Sequence, residues 1–190
     1  MSIILITGTP GTGKTTVSKS LSQRLSIPLV AVNDLVEEKH LYHGHNPEKG
    51  YKEVDIEGLC HELELLIESS VENGIILEGH LAHFSDNSDL IDCLVVLRTR
   101  PDILKKRLHK RNWPEAKVTE NIEAEALDIC TFEAVETHGN KVNEVDTTNL
   151  EIEEVVDIIT EIINGEKHIP PGDVNFLEYL SQRLNGFQYK

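Results

Sequence analysis

Four consecutive apolar residues inside SIILIT (2–7) predict a strand buried on both faces, because a half-exposed strand would alternate. The period then changes. Over 14–25, Val17, Leu21 and Leu25 fall four apart, the spacing of one helix face. IPLVAV (27–32) predicts a second buried strand, and DLVEEKHL (34–41) a helix. YHGHNPEKGYKEVD (42–55) is polar and carries Gly44, Pro47 and Gly50, which predicts a loop. Helical spacing returns from Ile56 to Val71.

GIILE (74–78) and DCLVVLRT (92–99) predict the third and fourth strands. PDILKKRLHKR (101–111) begins with proline, which favours the first turn of a helix. A short loop, NWPEAK (112–117), leads into one long predicted helix from about 119 to 138. A fifth strand lies in KVNEVDTT (141–148), and LEIEEVVDIITEIING (150–165) is an amphipathic helix closed by Gly165. EKHIPPGD (166–173) reads as a linker before a short helix at 174–184. Strands alternating with helices predict an α/β fold, a five-stranded parallel sheet with helices on both faces. The expected domain is 1–165, with 166–190 as a C-terminal linker and helix.

Composition adds limits. A chain of 190 residues, 39% hydrophobic and 27% charged, can bury a full core as one domain. Its three cysteines, Cys60, Cys93 and Cys130, are widely spaced and read as reduced thiols. MSIILITG has no basic leader segment, and no apolar run is long enough for a membrane span, so a cytoplasmic protein is expected. Eighteen Lys and Arg against 33 Asp and Glu give a net charge of −15. That opposes direct binding of nucleic-acid backbones, which require a basic surface. A pocket for a small phosphate ligand can still be locally positive.

The first strand runs straight into GTPGTGKTT (8–16). Gly8, four residues, Gly13, Lys14 and Thr15 satisfy G-x-x-x-x-G-K-[ST]. Glycines let consecutive N–H groups converge on phosphate oxygens with no Cβ in the way. Lys14 supplies a cation for the terminal phosphates, the Thr15 hydroxyl can hold Mg²⁺, and the following helix turns its positive end to the same anion. Pro10, Gly11, Thr12 and Thr16 complete the expected phosphate-binding stretch. A strand before and a helix after mark a nucleoside triphosphate site. No N-K-x-D guanine motif is present, which argues against a GTPase.

This loop, with VNDLVEEKHLYHGHN (32–46) and VVLRTRPDILKKRLHKRNWPEAKVTENIEAE (95–125), resembles the adenylate kinase isoenzyme 6 family. These are archaeal and nuclear adenylate kinase-like ATPases, within the P-loop nucleoside-monophosphate kinase superfamily, tied to small ribosomal subunit assembly. The similarity covers about residues 1–164. It implies a P-loop three-layer fold with an acceptor-binding region at about 33–72 and a short lid at about 111–119. It also implies ATP, ADP and AMP as ligands, Mg²⁺ as cofactor, a monomer, and a basic ribosomal protein as partner.

Residue by residue, the resemblance places Glu78, where relatives carry Asp, on the metal with Thr15, and His80 beside the attacking group. Asp34, taken as the end of the second strand, would face the acceptor nucleotide. Glu37 stands where relatives supply an acceptor-phosphate arginine, and Lys39 or Lys52 would substitute with a weaker, non-bidentate contact. Arg98, Arg107 and Arg111 would neutralise the transferring phosphoryl group, and Asp146 and Thr147 would line the adenine site. A small-metabolite kinase on the same scaffold and an ATP-switched assembly factor are the alternatives.

Overall fold

The computed structural model describes residues 2–46, 51–86 and 88–181. Strands β1 (Ile3–Thr7), β2 (Leu29–Ala31), β5 (Ile75–Glu78), β6 (Cys93–Arg98) and β7 (Val142–Asp146) form one sheet in the order β2-β5-β1-β6-β7. Every pairing in it is parallel, with Leu5 of β1 opposite Leu77 on one side and Leu94 on the other. The chain leaves β1 toward β2 on one side of the sheet and later reaches β6 on the other. The crevice at the carboxyl end of β1 is where an open α/β sheet collects ligands.

Two apolar layers sandwich the sheet. One face takes Leu35 from α2 (Val32–Glu38), Leu59, Leu63 and Ile67 from α3 (Ile56–Ser69), and Ala134 from α6 (Ile129–His138). The opposite face takes Val17 and Leu21 from α1 (Lys14–Leu25), and Val155, Val156, Ile159 and Ile162 from α7 (Ile152–Ile163). A smaller cluster, Leu104, Leu108, Val118 and Ile122, joins α4 (Pro101–His109) to α5 (Glu115–Ala126), with Trp113 and Tyr179 against it.

The structure departs from the periodicity in four places. β2 has only three residues, all half-buried, because it is an edge strand; Val32 already starts α2. The predicted loop at 42–55 contains an antiparallel pair, β3 (Tyr42–Asn46) and β4 (Tyr51–Val54), whose polar residues conceal the strand signal. Pro47 and Gly50 lie outside the described residues. The long helix predicted to 138 starts early, at Glu115, and is split: Asp128 takes a left-handed φ of 57° between α5 and α6. A short acidic side chain tolerates that conformation better than most.

The fourth departure is the tail. The supposed linker follows β7 closely: Glu144 N donates to Ile169 O at 2.8 Å, and Ile169 N donates to Asn143 Oδ1 at 2.9 Å. Helical geometry appears only at 177–181: residues 174–176, predicted helical, are irregular, and 182–184 lie outside the described residues. Among those residues, no helix is long and apolar enough to cross a membrane.

Candidate functional site

The loop after β1 is shaped by backbone. Gly8 sits at φ +131°, and a Cβ there would lie 2.3 Å from Leu97 O, a contact no side chain survives. At Gly11, φ +101°, a Cβ would meet Leu104 Cδ1 at 2.7 Å, so the loop lies directly on α4. Gly13 is the N-cap of α1 and brings no side chain to its first turn, leaving those amides to an incoming anion. Pro10 is half-buried beside them, and Thr16 is exposed. Thr12 closes the loop on itself, its hydroxyl donating to Thr9 O at 2.9 Å.

Lys14 folds into the loop it serves. Its Nζ donates to Gly8 O at 2.7 Å and to Thr9 O at 3.1 Å, and the residue is 8% exposed. Burial pushes its pKa down to about 8, with the Arg111 charge adding to the fall and Glu78 among the groups opposing it. One residue on, Thr15 Oγ1 donates to Glu78 Oε1 at 3.0 Å. A hydroxyl and a carboxylate meeting at the loop exit are hard oxygen donors of the kind Mg²⁺ takes, so these residues fit that ion.

Glu78 ends β5 and is buried; Gly79 follows, with its N–H bonded to Ile6 O at 3.1 Å. His80 comes next, half-buried, its pKa lowered to about 4 by burial and by the Lys14 and Lys117 charges. Its ring is therefore neutral at pH 7. Behind it, buried His83 shares a hydrogen bond with Thr7 Oγ1 at 2.8 Å and reaches Glu133 Oε2 at 3.2 Å. His138 Nε2 lies 2.8 Å from His83 O. The sequence reading missed His83 as a prop for the end of β1, and no local pattern marks it, because Thr7 and Glu133 are remote in the chain.

The arginines divide. Arg107 Nη1 lies 3.4 Å from Gly11 O and 3.3 Å from Thr99 Oγ1, at the flank of the loop. Arg111 is exposed, and its charge reaches Lys14. Arg98 requires correction. It is 1% exposed, and all three guanidinium nitrogens are used: Nε on Glu125 Oε1 at 3.0 Å, Nη1 on Glu144 and Thr131, Nη2 on Asp128 and Glu125 O. Burial opposes its charge, but the three carboxylates prevail and raise its pKa. It has no donor left for a nucleotide.

Thr147, expected to line the base, is buried with its hydroxyl 2.8 Å from Thr99 Oγ1, 2.9 Å from Arg98 O and 3.1 Å from Thr12 O, contacts that brace the loop. Asp146 is exposed and accepts from Thr148 N at 2.9 Å. On the acceptor side, Asp34 lies exposed in the first turn of α2, not at a strand end. Lys39 is paired with Glu62 at 3.0 Å. The side chain of Lys52 is outside the described residues. A cavity of about 630 Å³ beside α3 is lined by His43, Val54, Asp55, Ile56, Glu57, Gly58 and His61. Its described lining carries two acids, Asp55 and Glu57, and among the described residues no Lys or Arg.

A family model described as an AAA domain matches residues 4–128, from β1 through α5. A protein of Methanothermobacter thermautotrophicus named "Putative adenylate kinase" is 44% identical over 94% of this chain and 99% of its own length. One of the same name from Archaeoglobus fulgidus is 37% identical over 99% of each chain. The chain belongs to the family of these archaeal proteins. Solved structures of this P-loop kinase fold include shikimate kinase from Acinetobacter baumannii, with a TM-score of 0.59 at 17% identity over 88% of this chain and 95% of that one. A gluconokinase from Sinorhizobium meliloti gives 0.54 at 16% identity over 100% and 98%. At such identities they show the shared fold and nothing of substrate. The family members reported above are named for adenylate kinase and not for ribosome assembly.

Proposed function

We propose that the protein transfers the γ-phosphoryl group of MgATP to AMP, and to water when no acceptor is in place. The observation that carries this is the phosphate loop with Lys14 folded into it and the Thr15–Glu78 pair at its exit. In this reading Lys14 swings from the carbonyls of Gly8 and Thr9 to the β- and γ-phosphates, and the α1 amides hold the remaining oxygens. Thr15 and Glu78 hold Mg²⁺, which when bound supplies neutralisation of phosphate charge. Arg107 and Arg111 flank the phosphoryl group as it moves, stabilising charge that grows in the transition state. An oxygen of the AMP phosphate attacks the γ-phosphorus, the bond to the β-phosphate oxygen breaks, and two ADP leave. With water instead, the neutral His80 ring accepts a hydrogen bond from the attacking molecule and orients its lone pair.

The test is ADP formation from ATP alone and with AMP, CMP, UMP, GMP, shikimate or gluconate. AMP should give the fastest turnover and water a slow residual one. Faster turnover with a hydroxylated metabolite than with any nucleotide would replace this reading with a small-metabolite kinase.

The net charge of −15 favours a second, compatible role: docking on a basic protein of the small ribosomal subunit, switched by ATP. Capture of purified basic ribosomal proteins, with and without MgATP at low and high salt, tests it. Retention should depend on both nucleotide and salt, and no retention at low salt would dismiss it.

A further inference from the structure

Beneath the phosphate loop lies a charge cluster, buried at Arg98, Glu125 and Glu144 and half-buried at Asp128, whose far side is covered by the C-terminal segment. Arg98 sits among Glu125, Glu144 and Asp128, drawn from α5, β7 and the α5–α6 break. Toward the loop, Glu125 Oε1 also accepts Thr99 N at 2.8 Å. Thr99 Oγ1 then touches Thr147 Oγ1 and Arg107 Nη1, which reach the carbonyls of Thr12 and Gly11. Toward the tail, Glu144 Oε2 accepts Gly172 N at 3.1 Å, and the Phe176 ring covers the Arg98 guanidinium at 5.3 Å from its centroid. Tyr179 continues onto the α4–α5 cluster that supports Gly11.

We infer that the C-terminal segment is a positioning strap for the nucleotide site, acting through Phe176 on Arg98 and from there on the carbonyls of Thr12 and Gly11. The physical reason is water. A buried ion cluster holds its geometry only while solvent is kept from it, and Phe176 is the lid over Arg98. A guanidinium on an aromatic face is also attracted to it directly. If the ring goes, water competes for Glu125, the Thr99 amide loses its fixed acceptor, and the loop carbonyls held through Thr147 and Arg107 relax. Phe176 touches no nucleotide in this scheme and is a positioning residue.

This inference rests on the reading of the loop as an ATP site, so its test reads MgATP binding directly. Equilibrium dissociation of MgATP, with kcat and KM for ATP and the melting temperature, is measured on full-length wild type, Phe176→Ala, Phe176→Tyr and Leu177→Ala. Phe176→Ala should weaken MgATP about fivefold, in the range of one lost cation–π contact, and raise KM more than it lowers kcat. Phe176→Tyr, which keeps the ring face, should stay within about twofold of wild type, as should Leu177→Ala, whose exposed side chain is outside the cluster. If Phe176→Ala does not fold, Phe176→Leu keeps the bulk without the ring and should weaken binding about threefold. Wild-type affinity in a folded Phe176→Ala or Phe176→Leu, or an equal loss in Leu177→Ala, overturns the strap. Wild type that binds MgATP without phosphorylating AMP defeats the acceptor assignment alone, and wild type that binds no MgATP overturns the loop reading and the strap together.

Discussion

The two sides of this crevice, donor and acceptor in the proposed reaction, are built by different means. On the donor side, backbone does the shaping: glycines at positive φ, helix amides, and carbonyls held by Thr147, Arg107 and Lys14. On the acceptor side, the described cation, Lys39, is exposed and paired with Glu62, and Asp34 faces outward from α2. A phosphate site made of backbone needs a fixed local sequence and tolerates little change. One made of long side chains can change a residue without disturbing the fold, and Glu37 is the position at which the resemblance implies an arginine. The two sides should therefore fail in different ways.

The largest effect is expected at Arg98, which belongs to the donor side by position but serves the core. Arg98→Met would strand buried carboxylates and cost about 3–5 kcal/mol of stability, read from urea unfolding. Arg107→Met should leave the unfolding midpoint nearly unchanged and lower kcat. Equal midpoints for the two variants would return Arg98 to the list of nucleotide contacts.

Lys14→Ala should lower phosphoryl transfer by about 10³-fold while circular dichroism stays native, because the lysine serves the phosphates and not the sheet. Full turnover in the folded variant would remove the loop from the reaction.

Acid should loosen the donor side through His83. Its pKa falls from an ordinary 6.5 to about 4, first by burial and then through His138 and His80, so the unfolded chain binds the proton more readily. Its contribution is present above pH 6.5 and is lost as pH falls toward 4, up to about 2–3 kcal/mol. His83→Gln can still bond Thr7 and does not titrate, so its stability should decline less steeply between pH 6.5 and 4. Parallel declines in wild type and variant would show that His83 is not the acid-sensitive prop.

The smallest effect concerns the acceptor. If AMP is the acceptor, Glu37→Arg should lower its KM about fivefold by supplying a bidentate phosphate contact, whereas Lys39→Ala should change it less than about twofold. A large loss in Lys39→Ala would mean that Lys39 leaves Glu62 to hold the acceptor.

The successes and failures of the sequence reading have physical causes. SIILIT and DCLVVLRT were legible because strands buried on both faces leave no polar gaps. The β3–β4 pair was not, because strands with polar residues on both faces carry no period-two contrast. The break at Asp128 was hidden because helix propensity is weak against a buried arginine that claims the carboxylate.

By itself, the order of residues determined what is local: the strand–loop–helix at 3–25, the glycines that only a backbone-built anion site requires, and the alternation that yields a parallel sheet. These depend on spacings of a few residues, which a linear chain states openly. Only the tertiary structure decided that Arg98 belongs to the core, that Thr147 braces the loop, that His83 props β1, and that the tail lies over the Arg98 cluster. Each of those roles joins partners 27 to 135 positions apart. An arginine at a strand end looks the same in sequence whether it meets solvent or carboxylates, because desolvation and pairing, which choose its role, arise only when the chain is packed.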